Sequence, residues 1–348
     1  MKIGVIGCGN ISSIYLENLT ERFENTEVVA ISDLIHEKAL EKAEKFGISR
    51  IMTLEEMINS REIEAILNIT TPGAHYEINK KALLSGKHVY CEKPLCITDE
   101  EAREVMDIAA KNNLTVGSAP DTILGAGIQT CKEILDAEEI GQIIGAVGFM
   151  TCPGHESWHP DPEFYYQKGG GPLLDMGPYY LTAMIYLIGS ITEVNGIGTM
   201  PQKTRKIHRG PKAGREFDVE VLTHINSIFK FENGATGNII MSFDTWYTHL
   251  PYIEIYGSKG TLTVPDPNSF GGPVLIRKAG GSIWKEIPLN LPYSDNSRGL
   301  GLSEMIEAIE AYREPVASGK RALHVLEVMN AIIDSANGAG NREIFSRA

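Results

Sequence analysis

Cysteine is sparse in this chain: five residues, at 8, 91, 96, 131 and 152, an odd number with no C-x-x-C pair. That argues against a disulfide framework and against a cysteine zinc cluster. Positive charge is short as well, with 32 Lys and Arg against 45 Asp and Glu, a net charge of −13. Nucleic acid, which is best met by a basic surface, is therefore not an expected partner. No apolar run approaches membrane-spanning length. The opening MKIGVIGCGN is interrupted by glycines too early to form a secretory signal stretch. The expectation is a reduced, cytoplasmic protein with no membrane partner. Internal repeats and low-complexity linkers are also missing.

What is present is ordinary globular material. Hydrophobic residues make up 43% and charged residues 22% of 348 positions, enough for a real core and too long for one small domain. Up to about residue 118, short apolar runs alternate with amphipathic stretches. Strands are predicted at 2–6, 27–32, 65–69, 88–91 and 114–118, with helices at 36–47, 74–85 and 98–111 between them. This alternation predicts an α/β, doubly wound parallel sheet whose ligands bind at the carboxyl ends of the strands. After about residue 120 the pattern changes. Helices are expected near 123–136 and 172–188, a strand at 143–150, and strands with hairpin turns from 191 to 287, followed by helices near 299–318 and 321–337. The division expected is a dinucleotide-binding domain at 1–120 and an α+β domain at 121–348 with a large mixed, mostly antiparallel sheet. Strand faces such as Ile239, Met241 and Phe243 have little following helix to cover them. Their burial predicts a homo-oligomer, a dimer or a tetramer.

Gly7-Cys8-Gly9-Asn10-Ile11-Ser12 directly follows the first strand and opens a helix. It reads G-x-G-x-x-S. The first glycine permits a tight turn, the second lets backbone approach a pyrophosphate at the helix N-terminus, and the third position needs only a small side chain. Asp33, 24 residues after Gly9 and at the end of the second strand, stands where a carboxylate accepts hydrogen bonds from an adenosine ribose. Leu34-Ile35-His36 offers no cation for a 2′-phosphate, so NAD is expected rather than NADP.

His155-Glu156-Ser157-Trp158-His159 spells H-E-x-x-H, the pattern that binds zinc when it lies on a helix. Here Pro153-Gly154 precede it and Pro160 and Pro162 follow, which predicts an irregular loop and no metal site.

Cys91-Glu92-Lys93-Pro94-Leu95 resembles the E-K-P element of the glucose–fructose oxidoreductase / inositol dehydrogenase / MocA family. The glycine turn, Thr71-Pro72-Gly73-Ala74-His75 and Gly169-Gly170-Gly171-Pro172-Leu173-Leu174-Asp175-Met176-Gly177 fit the same family in order. The resemblance covers essentially the whole chain. It implies hydride exchange between a nicotinamide and a secondary alcohol of a sugar, glycoside, cyclitol or related polyol. It also implies cofactor contacts from Gly7, Gly9, Asn10, Ile11, Ser12, Asp33, Thr71, Pro72, Glu92 and Lys93, with His75 either beside the nicotinamide or a plain helix-start histidine. The family's catalytic lysine maps onto Lys93 and its aspartate onto Asp175. Where many members carry histidine four residues after that aspartate this chain has Tyr179, as in the glucose–fructose oxidoreductase and dihydrodiol dehydrogenase branch, which puts inositol itself in doubt.

Alcohol oxidation must release a proton as well as a hydride, and free tyrosine titrates too high to be a good base at neutrality. A neighbouring lysine ammonium and the positive nicotinamide would favour phenolate. Asp175 and Tyr179, four apart, share a helix face provided that Pro178 between them is tolerated near the helix start. Taken singly, Lys93 reads as a surface lysine, Asp175 as a helix cap and Tyr179 as a core tyrosine; the ordered set favours the catalytic reading. The 154–162 loop is either a packed surface loop or a substrate cover. In the second case Trp158, Tyr165 and Tyr166 lie against apolar sugar faces and His155, Glu156 and His159 bond hydroxyls, beside Lys93, Asp175 and Tyr179. The alternative to an enzyme is a non-catalytic NAD- or sugar-binding regulator on the same fold.

Overall fold

The computed structural model describes residues 1–348, in two compact units: 1–125 with 292–326, and 126–291 with 327–348. The first unit opens with β1 (Lys2–Ile6), α1 (Ser12–Glu21), β2 (Glu27–Ser32), α2 (His36–Phe46), α3 (Leu54–Asn59), β3 (Ala65–Asn68), α4 (Pro72–Leu84), β4 (His88–Cys91), α5 (Asp99–Lys111) and β5 (Val116–Ser118). The strands form one parallel sheet in the order β2-β1-β3-β4-β5. The order reverses at β1/β3, so the crevice past their carboxyl ends is the place for a ligand. All four residues of β3 are buried, as expected for a strand covered on both faces. The helices meet the sheet through small apolar residues, Ala39 and Ala43 on α2 and Ala102, Val105 and Ala109 on α5. Capping boxes start two of them, Thr53 with Glu56 and Thr98 with Glu101. The first of these marks α3, a helix absent from the expected set.

The second unit contains α6 (Ala126–Asp136), β6 (Ile143–Thr151), α7 (Pro172–Ile188), β7 (Ile191–Thr199), β8 (Thr204–Lys206), β9 (Glu216–Asp218), β10 (His224–Phe231), β11 (Thr236–Ser242), β12 (Ile253–Gly257), β13 (Gly260–Val264), β14 (Val274–Lys278) and β15 (Lys285–Ile287). α8 (Leu300–Glu310), α9 (Gly319–Asp334) and β16 (Arg342–Glu343) complete the chain. Nine strands make a mixed sheet, β15-β14-β13-β12-β6-β11-β10-β7-β16, in which β6 and β11 alone run parallel. β8 and β9 form a separate hairpin.

Three expectations need correction. A single break at residue 120 misplaces 292–326, which belongs to the first unit. The Asn18 amide donates to the carbonyls of Asn296 and Arg298 at 3.0 and 2.8 Å, and Asp121 accepts from the backbone of Gly299 and Gly301. These bonds tie the late segment back to the parallel sheet. The helix expected over 299–318 stops at Glu310, because Tyr312 takes a left-handed φ of 53° and Pro315 follows. Finally, Ile239, Met241 and Phe243 are fully buried rather than exposed. α7 packs over that face of β6, β10 and β11 so closely that a Cβ on Gly148 would lie 2.7 Å from Met184 Cε. The uncovered face is the opposite one, where Ile144, Ile197 and Ile228 are more than half exposed.

Candidate functional site

In the first unit the candidate residues lie past the carboxyl ends of β1, β2, β3 and β4. Gly7 has φ +106° and its amide donates to the Ser32 carbonyl at 2.8 Å. A Cβ there would come 2.6 Å from the Ile69 carbonyl oxygen, so the turn needs glycine on both counts. Gly9 differs: a Cβ would meet nothing within 4 Å, so the protein itself does not demand glycine there. Beside it, Asn10 and Ile11 are exposed and no side chain caps α1. Open space over an uncapped helix N-terminus is what an approaching pyrophosphate requires. Ser12 is buried and donates its hydroxyl to the Gly9 carbonyl at 2.6 Å, closing the turn as a small third residue should.

Asp33 is held by two backbone amides, Cys8 to Oδ2 at 2.7 Å and Ile35 to Oδ1 at 2.8 Å. Each oxygen keeps a further lone pair, the acceptor set a ribose diol needs. Burial and the Asp33 charge push the Cys8 thiol up to about 11, so it stays protonated and takes no part as a nucleophile. α2 brings in a cation that inspection of residues 34–36 missed. Lys42, with a largely buried side chain, donates to the Ser13 hydroxyl at 2.7 Å.

Thr71 and Pro72 begin α4, with proline at the first position where its missing amide costs nothing. His75 is fully buried. Nδ1 lies 2.7 Å from the Pro94 carbonyl and Nε2 3.2 Å from that of Thr70. Burial lowers its pKa, and a ring with no accessible surface braces the β3 and β4 loops rather than facing a ligand. Glu92 accepts from the Tyr15 hydroxyl at 2.9 Å and from the Lys93 amide at 2.8 Å, fixing the backbone that carries Lys93. The Lys93–Pro94 peptide is cis.

The second unit carries a separate group of candidate residues. α7 runs unbroken from Pro172 to Ile188 with Pro178 inside it, deeper than the helix start that was expected. The helix gives up the bond from residue 178 to the Leu174 carbonyl and continues, leaving half-buried Asp175 and buried Tyr179 one turn apart on one face. The H-E-x-x-H residues form one 3₁₀ turn, His155–Ser157, after Gly154 at φ +104°. His155 Nε2 sits 3.1 Å from Asp175 Oδ2. His159 Nδ1 accepts from the Asp161 amide at 3.0 Å, so the two histidines have different partners. No group of three or more His, Cys, Asp or Glu side chains converges as a metal would need. Glu156 is buried against Arg205 at 2.6 Å and also receives the Tyr166 hydroxyl, so it and Tyr166 are internal rather than facing a substrate. Trp158 is 55% exposed and meets His159 edge to face, as His159 does Phe164. Arg205, unmarked in the sequence reading, has no motif around it that would single it out.

A glycine turn, an uncapped helix and a ribose-ready carboxylate at the switch point of a parallel sheet define a dinucleotide-binding architecture. Residues that would hold the dinucleotide are Gly7, Gly9, Asn10, Ile11, Ser12 and Asp33. Comparison with known proteins agrees: residues 1–119 match an oxidoreductase family with an NAD-binding Rossmann fold, and 128–263 match the GFO/IDH/MocA C-terminal domain. The chain belongs to the GFO/IDH/MocA oxidoreductase family. It is 28% identical over 269 residues to the myo-inositol 2-dehydrogenase of Thermotoga maritima, covering 75% of this chain and 74% of that one. It is 25% identical over 338 residues to the NAD⁺-dependent scyllo-inositol 2-dehydrogenase of Bacillus subtilis, covering 96% and 94%. A levoglucosan dehydrogenase solved with NADH and L-sorbose shares the fold at a TM-score of 0.84 and 20% identity, covering 99% of each chain. The family supports an enzyme and lends nothing to a non-catalytic regulator. No helix is long and apolar enough to cross a membrane.

Proposed function

We propose that this protein oxidises a secondary alcohol of a sugar, glycoside, cyclitol or related polyol, with NAD preferred over NADP. The observation that carries the reading is the continuity of α7 through Pro178, which keeps Asp175 and Tyr179 on one helix face. NAD, when bound, accepts the hydride. Lys93 holds the substrate hydroxyl and Tyr179 takes its proton, while Asp175 binds and orients the polyol. Glu92 acts through the Lys93 backbone, and His75 through the Pro94 and Thr70 carbonyls. Thr71 and Pro72 line the cofactor at the start of α4. Trp158 and His159 cover the substrate, the indole against an apolar ring face. Asp33 supports NAD over NADP because a carboxylate repels a 2′-phosphate. The outer face of the nine-stranded sheet, with Ile144, Ile197 and Ile228, is covered by a second copy of the chain. Turnover of NAD on a panel of sugars, glycosides and cyclitols, read by the absorbance of reduced nicotinamide, tests the activity. No reduction with any of them overturns it.

A further inference from the structure

We propose that His155 is a positioning residue that sets the carboxylate of Asp175, and that buried Arg205 anchors the turn that carries it. The inference rests on the polyol dehydrogenase reading for its meaning, though not for its geometry. It also replaces the expectation that His155 bonds a substrate hydroxyl directly.

The His155 ring is almost fully buried, with its polar edge committed to one partner. Nε2 lies 3.1 Å from Asp175 Oδ2, and a carboxylate only accepts, so Nε2 carries the hydrogen. Nδ1 is buried and has no hydrogen-bond partner. The ring faces are taken by Tyr165 at 4.1 Å, nearly perpendicular, and by Phe243 at 4.5 Å between centroids. A residue so enclosed reaches a substrate only through Asp175.

The turn around it is pinned on both sides. The His155 amide donates to the Tyr166 hydroxyl at 3.0 Å, and that hydroxyl donates to Glu156. Arg205, with a side chain 1% exposed, bonds Glu156 at 2.6 Å, the Phe243 carbonyl at 3.1 Å and the Asp244 carboxylate. Asp244 in turn accepts from the Thr223 hydroxyl at 2.6 Å. Burying a guanidinium is costly unless its charge is matched, and two carboxylates match it here. Gly154 completes the packing: any Cβ would collide with Arg205, Glu156 and the Tyr166 hydroxyl. This network holds buried charge around a three-residue turn that presents the His155 ring to Asp175.

The test uses the full chain in five forms: wild type, His155→Phe, His155→Gln, Asp175→Asn and the Phe/Asn double variant. His155→Phe keeps the ring packing and removes the donor. It should lower kcat/KM for the polyol by about 10- to 100-fold, with NAD affinity within about twofold of wild type. His155→Gln, whose amide nitrogen reaches about as far as Nε2, should restore most of that loss. The double variant should be little worse than Asp175→Asn alone, since His155 acts only through that carboxylate. Losses that multiply, or a Gln variant no better than Phe, would overturn the proposal. A second readout does not depend on turnover. In ¹⁵N-histidine-labelled protein, the ring N–H signal that vanishes in His155→Phe should shift in Asp175→Asn. If no polyol is turned over, the proposed activity fails while this signal still decides the pairing; a His155 signal indifferent to Asp175→Asn sinks it.

Discussion

Asp121 gives the sharpest quantitative prediction. It lies in the single turn Asp121–Leu124 after β5, fully buried, and accepts the Gly299 and Gly301 amides at 2.8 and 3.1 Å. Burial pushes its pKa from 3.8 up to about 6, despite the two amides that favour the charged form. A group with a raised folded pKa stabilises the protein fully below the unfolded value and loses that contribution as pH rises through the folded one. The window here is about pH 4 to 6, and the whole effect is about 3 kcal/mol. Most paired carboxylates act in the opposite sense. Asp121→Asn keeps the shape and an acceptor for both amides but cannot ionise. Relative to wild type it should gain about 2 kcal/mol between pH 4.5 and pH 7. Urea unfolding by far-ultraviolet circular dichroism across that range measures the difference, with exchange protection of the amides in α8 as the local readout. All other titrating groups cancel in the comparison. Parallel stability curves, separated by a constant within about 0.5 kcal/mol, would refute the assignment of a buried, reluctantly ionised carboxyl.

Tyr179→Phe should cut turnover by about 10²- to 10⁴-fold with NAD affinity nearly unchanged, and Lys93→Met should cost at least as much. Near-normal turnover in the tyrosine variant beside an inactive lysine variant would make another group the base. Calorimetric titration should find NAD bound more tightly than NADP, and Asp33→Ala should narrow the difference; tighter NADP binding by wild type counts against the ribose role of Asp33. Ile228→Lys, on the uncovered sheet face, should yield monomers by light scattering at micromolar concentration, whereas Met241→Ala, on the covered face, should leave assembly intact and cost about 2–5 kcal/mol of stability. A monomeric wild type would remove the case for a second copy.

Local chemistry was the part most open to reading from the chain. Gly7 and Ser12 are needed by a turn whose partners lie one strand away, and the G-x-G-x-x-S spacing announces it. Gly47 closing α2 and Pro172 opening α7 are likewise punctuation at the residue itself. The α3 capping box was equally legible, in Thr53-Leu54-Glu55-Glu56. Arg205 was not legible. A lone arginine in a three-residue strand becomes a buried anchor only because Glu156, Tyr166 and Asp244, between 39 and 49 positions away, converge on it.

The sequence by itself determined the parallel sheet and the local form of the glycine turn, the E-K-P and the Gly-Gly-Gly-Pro elements, because each depends on periodicity or on neighbours within one turn. Tertiary structure alone decided which face of β11 is inside. Ile239, Ile240 and Met241 are consecutive apolar residues, so alternation names two faces without choosing between them, and α7 makes the choice by covering one. It also returned 292–326 to the first unit, through amides that meet Asp121 178 and 180 positions earlier. And it turned an H-E-x-x-H string into a histidine held on Asp175, since a hydrogen bond is specified by where two chain segments meet and not by the letters on either one.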